Sequence, residues 1–143
     1  MRSYIEITGH RARKKHCFNV VNWFLEKYLP RHQLDIMVHH RGLLREGVYG
    51  WCTVPDCDYR PRAFLIEIHN YLTLEDYLQT ILHEMWHVYQ HVRGDLRDKG
   101  SLQLWKGIDY SDKDYDDLPW EEEASRMEKE LFQIYLTENQ ISV

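Results

Sequence analysis

Between Thr73 and Gly94 lies a stretch that can hardly be anything but an amphipathic helix, and it limits every fold open to this chain. Leu74, Leu78, Ile81, Leu82, Met85, Tyr89 and Val92 recur at three- and four-residue intervals, which marks one buried stripe. Thr73 suits the N-cap, with Asp76 three residues on, as in a capping box. Gly94 suits the position just past the last turn, where a left-handed residue closes a helix. The pattern predicts a helix over 74–93 that docks by one face on the rest of the fold.

Beside that stripe the helix carries His83-Glu84-Met85-Trp86-His87, the pattern H-E-x-x-H. Two histidines four residues apart stand one above the other on a helix, so both imidazoles can reach a single ion. Glu84 points to the same side, where it can take a proton from a metal-held water instead of ligating. The plain alternative is a surface helix with polar neighbours at i, i+4. The motif sits at the edge of a core stripe on a helix bounded at both ends, which favours the metal. A catalytic zinc also needs a third protein ligand and one open position. His91 continues the spacing, but eight residues of straight helix rise about 12 Å, too far for three rings on one axis to converge. No glycine interrupts residues 83–91. His91 is therefore expected in solvent or behind a ligand, not on the ion.

Downstream, the run Asp116 to Leu136 predicts a second helix over 119–137, with Pro119 in its first turn. Trp120, Ala124, Met127, Leu131 and Ile134 mark its buried face. Trp86 and Tyr89 on the first of these helices are expected in the core. The second helix opens on Glu121-Glu122-Glu123. Neighbours on a helix differ by about 100°, so the three cannot all face one ion. Two of them are expected simply to complement the positive end of the helix dipole.

These residues resemble the glutamate-zincins, whose third ligand is a glutamate on a following helix in the pattern E-x-x-A-(D/E/N). On Glu121-Glu122-Glu123-Ala124-Ser125 the resemblance implies Glu121 as the ligand, with Glu122 in reserve. Ser125 departs from the pattern, which assigns it no supporting role. The segments Ile81 to Gln90, Arg93-Gly-Asp-Leu96, Trp105-Lys-Gly107 and Leu118-Pro-Trp-Glu-Glu-Glu-Ala124 resemble uncharacterised metallopeptidases of phages and bacteria, grouped with SprT-like and ImmA/IrrE-type minimal zincins. The resemblance covers about residues 64 to 136. It implies a zinc metallopeptidase: one Zn²⁺ per chain held by His83, His87 and Glu121, Glu84 as the catalytic base, and a peptide or protein substrate. A further donor is expected for the oxyanion, with Tyr110 and Tyr115 as the two candidates.

The remaining chain sets the frame. At 143 residues it is expected to be one domain, residues 1–143, and 43% hydrophobic residues suit a globular chain. The fold class expected is α+β, a minimal zincin-like core with a small, mostly antiparallel sheet. Its elements are a helix near 11–29, strands near 34–40, 47–54 and 63–69, and a short strand near 102–106, besides the two helices above. Phe18, Val21, Leu25 and Tyr28 mark the first helix's apolar face and Pro30 ends it. In such a core an edge strand beside the metal takes up an extended peptide, but which strand is the edge is not written in the sequence. No segment approaches the apolar run of about 18 residues that a membrane span requires, the first ten residues lack a signal-peptide core, and three cysteines do not make a disulfide framework, so a cytoplasmic address is expected.

Charge divides the chain. Residues 1–62 hold 11 Lys/Arg against six Asp/Glu, and residues 63–143 hold seven against 17. The basic run Arg11 to His16 reads first as a solvated helix start and second as a nucleic-acid patch. The acidic stretch Asp109 to Asp117 flanks the expected site and points to basic substrates. Cys52 and Cys57 are too far apart for a zinc knuckle, and a turn at Pro55-Asp56 accounts for them. Two rival functions stand beside the peptidase: a zinc-stabilised binding or regulatory module, and a nucleic-acid-associated protease.

Overall fold

The computed structural model describes residues 2–55 and 60–143. The elements are β1 (Tyr4–Thr8), α1 (Lys14–Tyr28), β2 (Asp35–Arg41), β3 (Gly50–Thr53), β4 (Ala63–His69), α2 (Leu74–Arg93), β5 (Leu96–Lys99), β6 (Leu102–Trp105), β7 (Ile108–Asp109) and α3 (Pro119–Asn139). This is an α+β fold. α2 has the bounds its caps dictate: the Thr73 hydroxyl accepts from the Asp76 amide at 3.2 Å, and Gly94 closes the helix at φ 84°.

Two sheets divide the strands, one of order β1-β2-β4-β3 and one of order β5-β6-β7. The expected mostly antiparallel pairing holds for the small sheet but not for the large one. There β1 and β4 both run parallel to β2, and only β3 is antiparallel, on the edge beside β4. For β1 and β2 the reason is the connection, since α1 carries the chain from β1 back to the start of β2, whereas β4 runs parallel to β2 because the antiparallel β3 lies between them in sequence. β1 itself is absent from the sequence expectation although Tyr-Ile-Glu-Ile-Thr alternates apolar and polar residues. It is short, lies on an edge and buries no residue fully, so its signal is weak.

Strand alternation fixes which face of the large sheet is covered. Ile36 and Val38 of β2 and Phe64, Ile66 and Ile68 of β4 are fully buried, whereas Met37, His39, Leu65 and Glu67 between them are half-buried. The buried face packs with Val20, Val21 and Phe24 of α1 and Leu78, Ile81, Leu82, Met85 and Val88 of α2 in one core. Truncating any of these to Ala should cost about 2–5 kcal/mol. Phe18 does not join them. It is 47% exposed, because the inner face of α1 is centred on Cys17, Val20, Val21 and Phe24. On α3, Leu131, Phe132 and Tyr135 are buried while Ile134 is only half-buried, so the helix is rolled slightly from the face its spacing suggested.

The basic run opens as a tight turn at Arg11–Arg13 before α1 begins. Arg13 donates to the Leu72 carbonyl and lies over the Tyr77 ring, a use inside the fold. Among the described residues no helix is long and apolar enough to cross a membrane.

Candidate metal centre

Three elements build the site. α2 presents His83, Glu84 and His87 on the flank of its buried stripe. α3 lies against α2, with Ala124 fully buried in the core. The first turn of α3 is held by a separate small cluster in which Leu118 and Trp120 pack with Leu96 of β5 and Trp105 of β6. The small sheet therefore fixes where α3 starts, and with it where Glu121 stands.

Glu121 bridges the two histidines. His83 Nε2 lies 3.0 Å from its Oε1 and His87 Nε2 lies 3.0 Å from its Oε2. The two imidazoles are nearly perpendicular with centroids 4.9 Å apart. One donor atom from each of His83, His87 and Glu121 falls within 4.8 Å of the other two, close enough for a single metal ion. Glu84 stands outside this trio, 5% exposed, with Oε2 beside the backbone of β3. A Cβ at Gly50 would come within 3.2 Å of that oxygen and 2.9 Å of Thr80 Cγ2. Glycine is what lets the edge strand approach the carboxylate.

The other ring nitrogens are pinned from behind. His83 Nδ1 is 3.0 Å from Glu128 Oε1, and His87 Nδ1 is 2.8 Å from Gln90 Oε1. With Nδ1–H donated to these oxygens, the Nε2 lone pairs are left for a cation. Gln90 is in turn fixed, its Nε2 donating to the Trp120 carbonyl at 3.0 Å and to Glu123 Oε1 at 3.2 Å. Glu123 also accepts from Trp86 Nε1 at 2.7 Å. It is thus a tie between α2 and α3, not the dipole complement expected of it. Glu122 is exposed and takes no part in the trio, and Ser125 is exposed.

Electrostatics follow from these contacts. Burial opposes the charged form of His83, but hydrogen bonds to Glu121 and Glu128 outweigh it and push its pKa up to about 10. His87 is likewise raised by its bond to Glu121 against burial. Burial would lift Glu121, yet the two histidines hold its carboxyl well below the usual range. Glu84 is raised, chiefly by burial, with His87 and His83 pulling the other way.

Both tyrosines proposed from sequence are near, but only one reaches the trio. Tyr115 Oη donates to Glu121 Oε1 at 2.9 Å, whereas Tyr110 packs edge-on against Trp120 at 6.1 Å. His91 is absent from the trio, as its helical rise requires, but it is not in solvent. It is 7% exposed, packs on Phe64 at 5.8 Å, and burial pushes its pKa down to about 4. Trp86 is buried and Tyr89 packs partly buried against the core. Cys57 and the turn at Asp56 lie outside the described residues; Cys52 is half-buried in the cleft beside Glu84. Gln90 and Glu128 escaped the sequence reading, which gave Glu123 only to the helix dipole. Gln90 stands one turn past His87 and Glu128 two turns past Glu121, a spacing that could have marked them.

Comparison with protein-family models, with curated proteins and with solved structures finds no match to this chain.

Proposed function

We propose that the chain is a zinc-dependent metallopeptidase. The observation that carries this reading is Glu84, a buried carboxylate with a raised pKa that lies beside the trio without belonging to it. A site that only held metal would have no use for it. The donors suit zinc: two imidazole Nε2 atoms and one carboxylate, with both Nδ1 atoms oriented by outer partners, and a recess lined by Glu84, His87 and Glu121 beside them. Bound there, zinc would acidify a water molecule and polarise a carbonyl. Glu84 accepts the proton of the attacking water and passes it to the leaving amine, a task its raised pKa suits at neutral pH. Tyr115 supplies a hydroxyl donor at the same edge of the site and serves as the oxyanion partner. The free side of β3 takes the peptide as an added strand, since Gly50 brings that edge against Glu84.

The test is zinc stoichiometry by native mass spectrometry alongside a peptide-cleavage assay. Wild type should hold one zinc and cut peptides, Glu121→Ala should bind zinc weakly, and Glu84→Gln should hold zinc and cut nothing. Full cleavage by Glu84→Gln would sink the mechanism. One observation favours a second reading, in which metal serves folding and not chemistry: the trio ties α2 to α3 across 38 residues. Chelation separates the two, because a binding module would unfold where an enzyme would merely fall silent.

A further inference from the structure

We infer that the recess beside the metal centre selects a cationic group on the substrate, and that Asp98 is the residue that recognises it. The inference rests on the metallopeptidase reading for how a substrate enters. The recess has a volume of about 260 Å³. Glu84, His87 and Glu121 form its metal side, and Gly50 and Cys52 of β3 form one flank. Leu96, Leu118 and Trp120 supply apolar lining, and Asp98 and Gln103 of the small sheet line the recess as well. No lysine or arginine lines it among the described residues.

Asp98 is half-buried with Gln103 as a hydrogen-bonding neighbour, and among the described residues it joins none of the ion pairs. Burial raises its pKa against that bond, so its charge is poorly compensated in the protein alone. Its field reaches the β3 flank of the recess. The Cys52 thiol is pushed far up first by burial and then by the charges of Glu84, Asp98 and Glu121. With a divalent ion in place, three carboxylates still leave one negative charge uncompensated. The surroundings suit a side chain with an apolar stem and a charged tip, the stem along Leu96 and Trp120 and the tip at Asp98. A lysine or arginine beside the scissile bond has that form, and a substrate's terminal ammonium offers the same charge. The exposed aspartates of residues 109–117 do not line the recess. The acidic selectivity expected of that loop is carried by β5.

The experiment uses the full chain loaded with zinc and reads binding, so it does not depend on turnover. The N-acetyl hydroxamates of lysine, leucine and glutamate are titrated by calorimetry, each anchored by its hydroxamate at the metal. The lysine compound should bind about tenfold or more tighter than the leucine one, and the glutamate compound weakest. Asp98→Asn, near-isosteric and still able to meet Gln103, should bring lysine down to leucine, and Asp98→Lys should reverse the order of lysine and glutamate. Unblocked leucine hydroxamate tests the other source of charge: a gain over its acetylated form that Asp98→Asn removes assigns the pocket to the terminal ammonium. Hydroxamates that bind with no charge preference, or a preference that survives Asp98→Asn, overturn the inference and leave the metal site standing. Failure of every hydroxamate to bind the zinc-loaded protein removes the open metal position and both readings with it.

Discussion

The fold buries two histidine-centred clusters along α2, and they differ in where the second ring nitrogen goes. Near its start, His40 is spent entirely on the fold: Nδ1 bonds the Thr8 carbonyl at 2.8 Å and Nε2 meets Tyr77 Oη at 2.6 Å. Two turns on, His83 and His87 give Nδ1 to Glu128 and Gln90 and turn Nε2 toward a shared carboxylate. Burial lowers the pKa of His40, whereas carboxylates raise those of the other two against the same burial. A buried histidine can serve as a ligand when one nitrogen is fixed from behind and the other faces a common point with a counter-charge.

This contrast can be broken experimentally, and the largest effect should come from Glu84. Glu84→Gln should lower the cleavage rate by about 10² to 10⁴-fold while zinc stoichiometry stays at one, read by a peptide assay and native mass spectrometry. Next come the outer partners. Gln90→Ala and Glu128→Ala should each weaken zinc by about 10- to 100-fold in a competition titration, though neither touches the ion. Affinities equal to wild type would show that the rear hydrogen bonds do not orient the rings.

Acidity gives the third effect. Without metal, His83 holds a proton up to about pH 10 against an ordinary 6.5. The stability that proton contributes is fully present below 6.5 and is lost as pH rises through about 10. Zinc must displace it, so affinity should fall by about tenfold per unit of acidification for each proton released. Calorimetry in buffers of different protonation enthalpy reads that release directly, and a pH-independent affinity contradicts it. The smallest functional effect belongs to His40. His40→Phe should cost about 1–3 kcal/mol in thermal stability by removing the bonds to the Thr8 carbonyl and Tyr77 Oη, yet leave zinc affinity unchanged. A loss of zinc in that variant would mean the two clusters are one.

The two clusters were not equally legible beforehand. His83, His87 and Glu121 show in the sequence because the spacing of a ligand pair is a local property of one helix, and the resemblance supplied the third. Gln90 and Glu128 carry no local signal and Glu123 reads as a dipole complement, and only the docking of α3 on α2 makes them partners. The His40–Tyr77 pair joins residues 37 apart on a strand and a helix, which no local pattern records. The fold divides the same way. α2 was bounded at both ends by its caps, and β2, β3 and β4 by apolar alternation. Parallel pairing of β1 and β4 with β2 depends on a crossover, and β5 and β7 are too short and polar to announce themselves.

The distance along the chain between the ligands has its own consequence. His83 and His87 meet within a single helix, but Glu121 reaches them from 38 residues beyond His83, across the small sheet. An ion gripped by all three would work as a removable crosslink, tightening the start of α3 and the small sheet that positions it. Amide exchange should slow at the start of α3 and in β5 and β6 when zinc is added, while the large sheet scarcely responds.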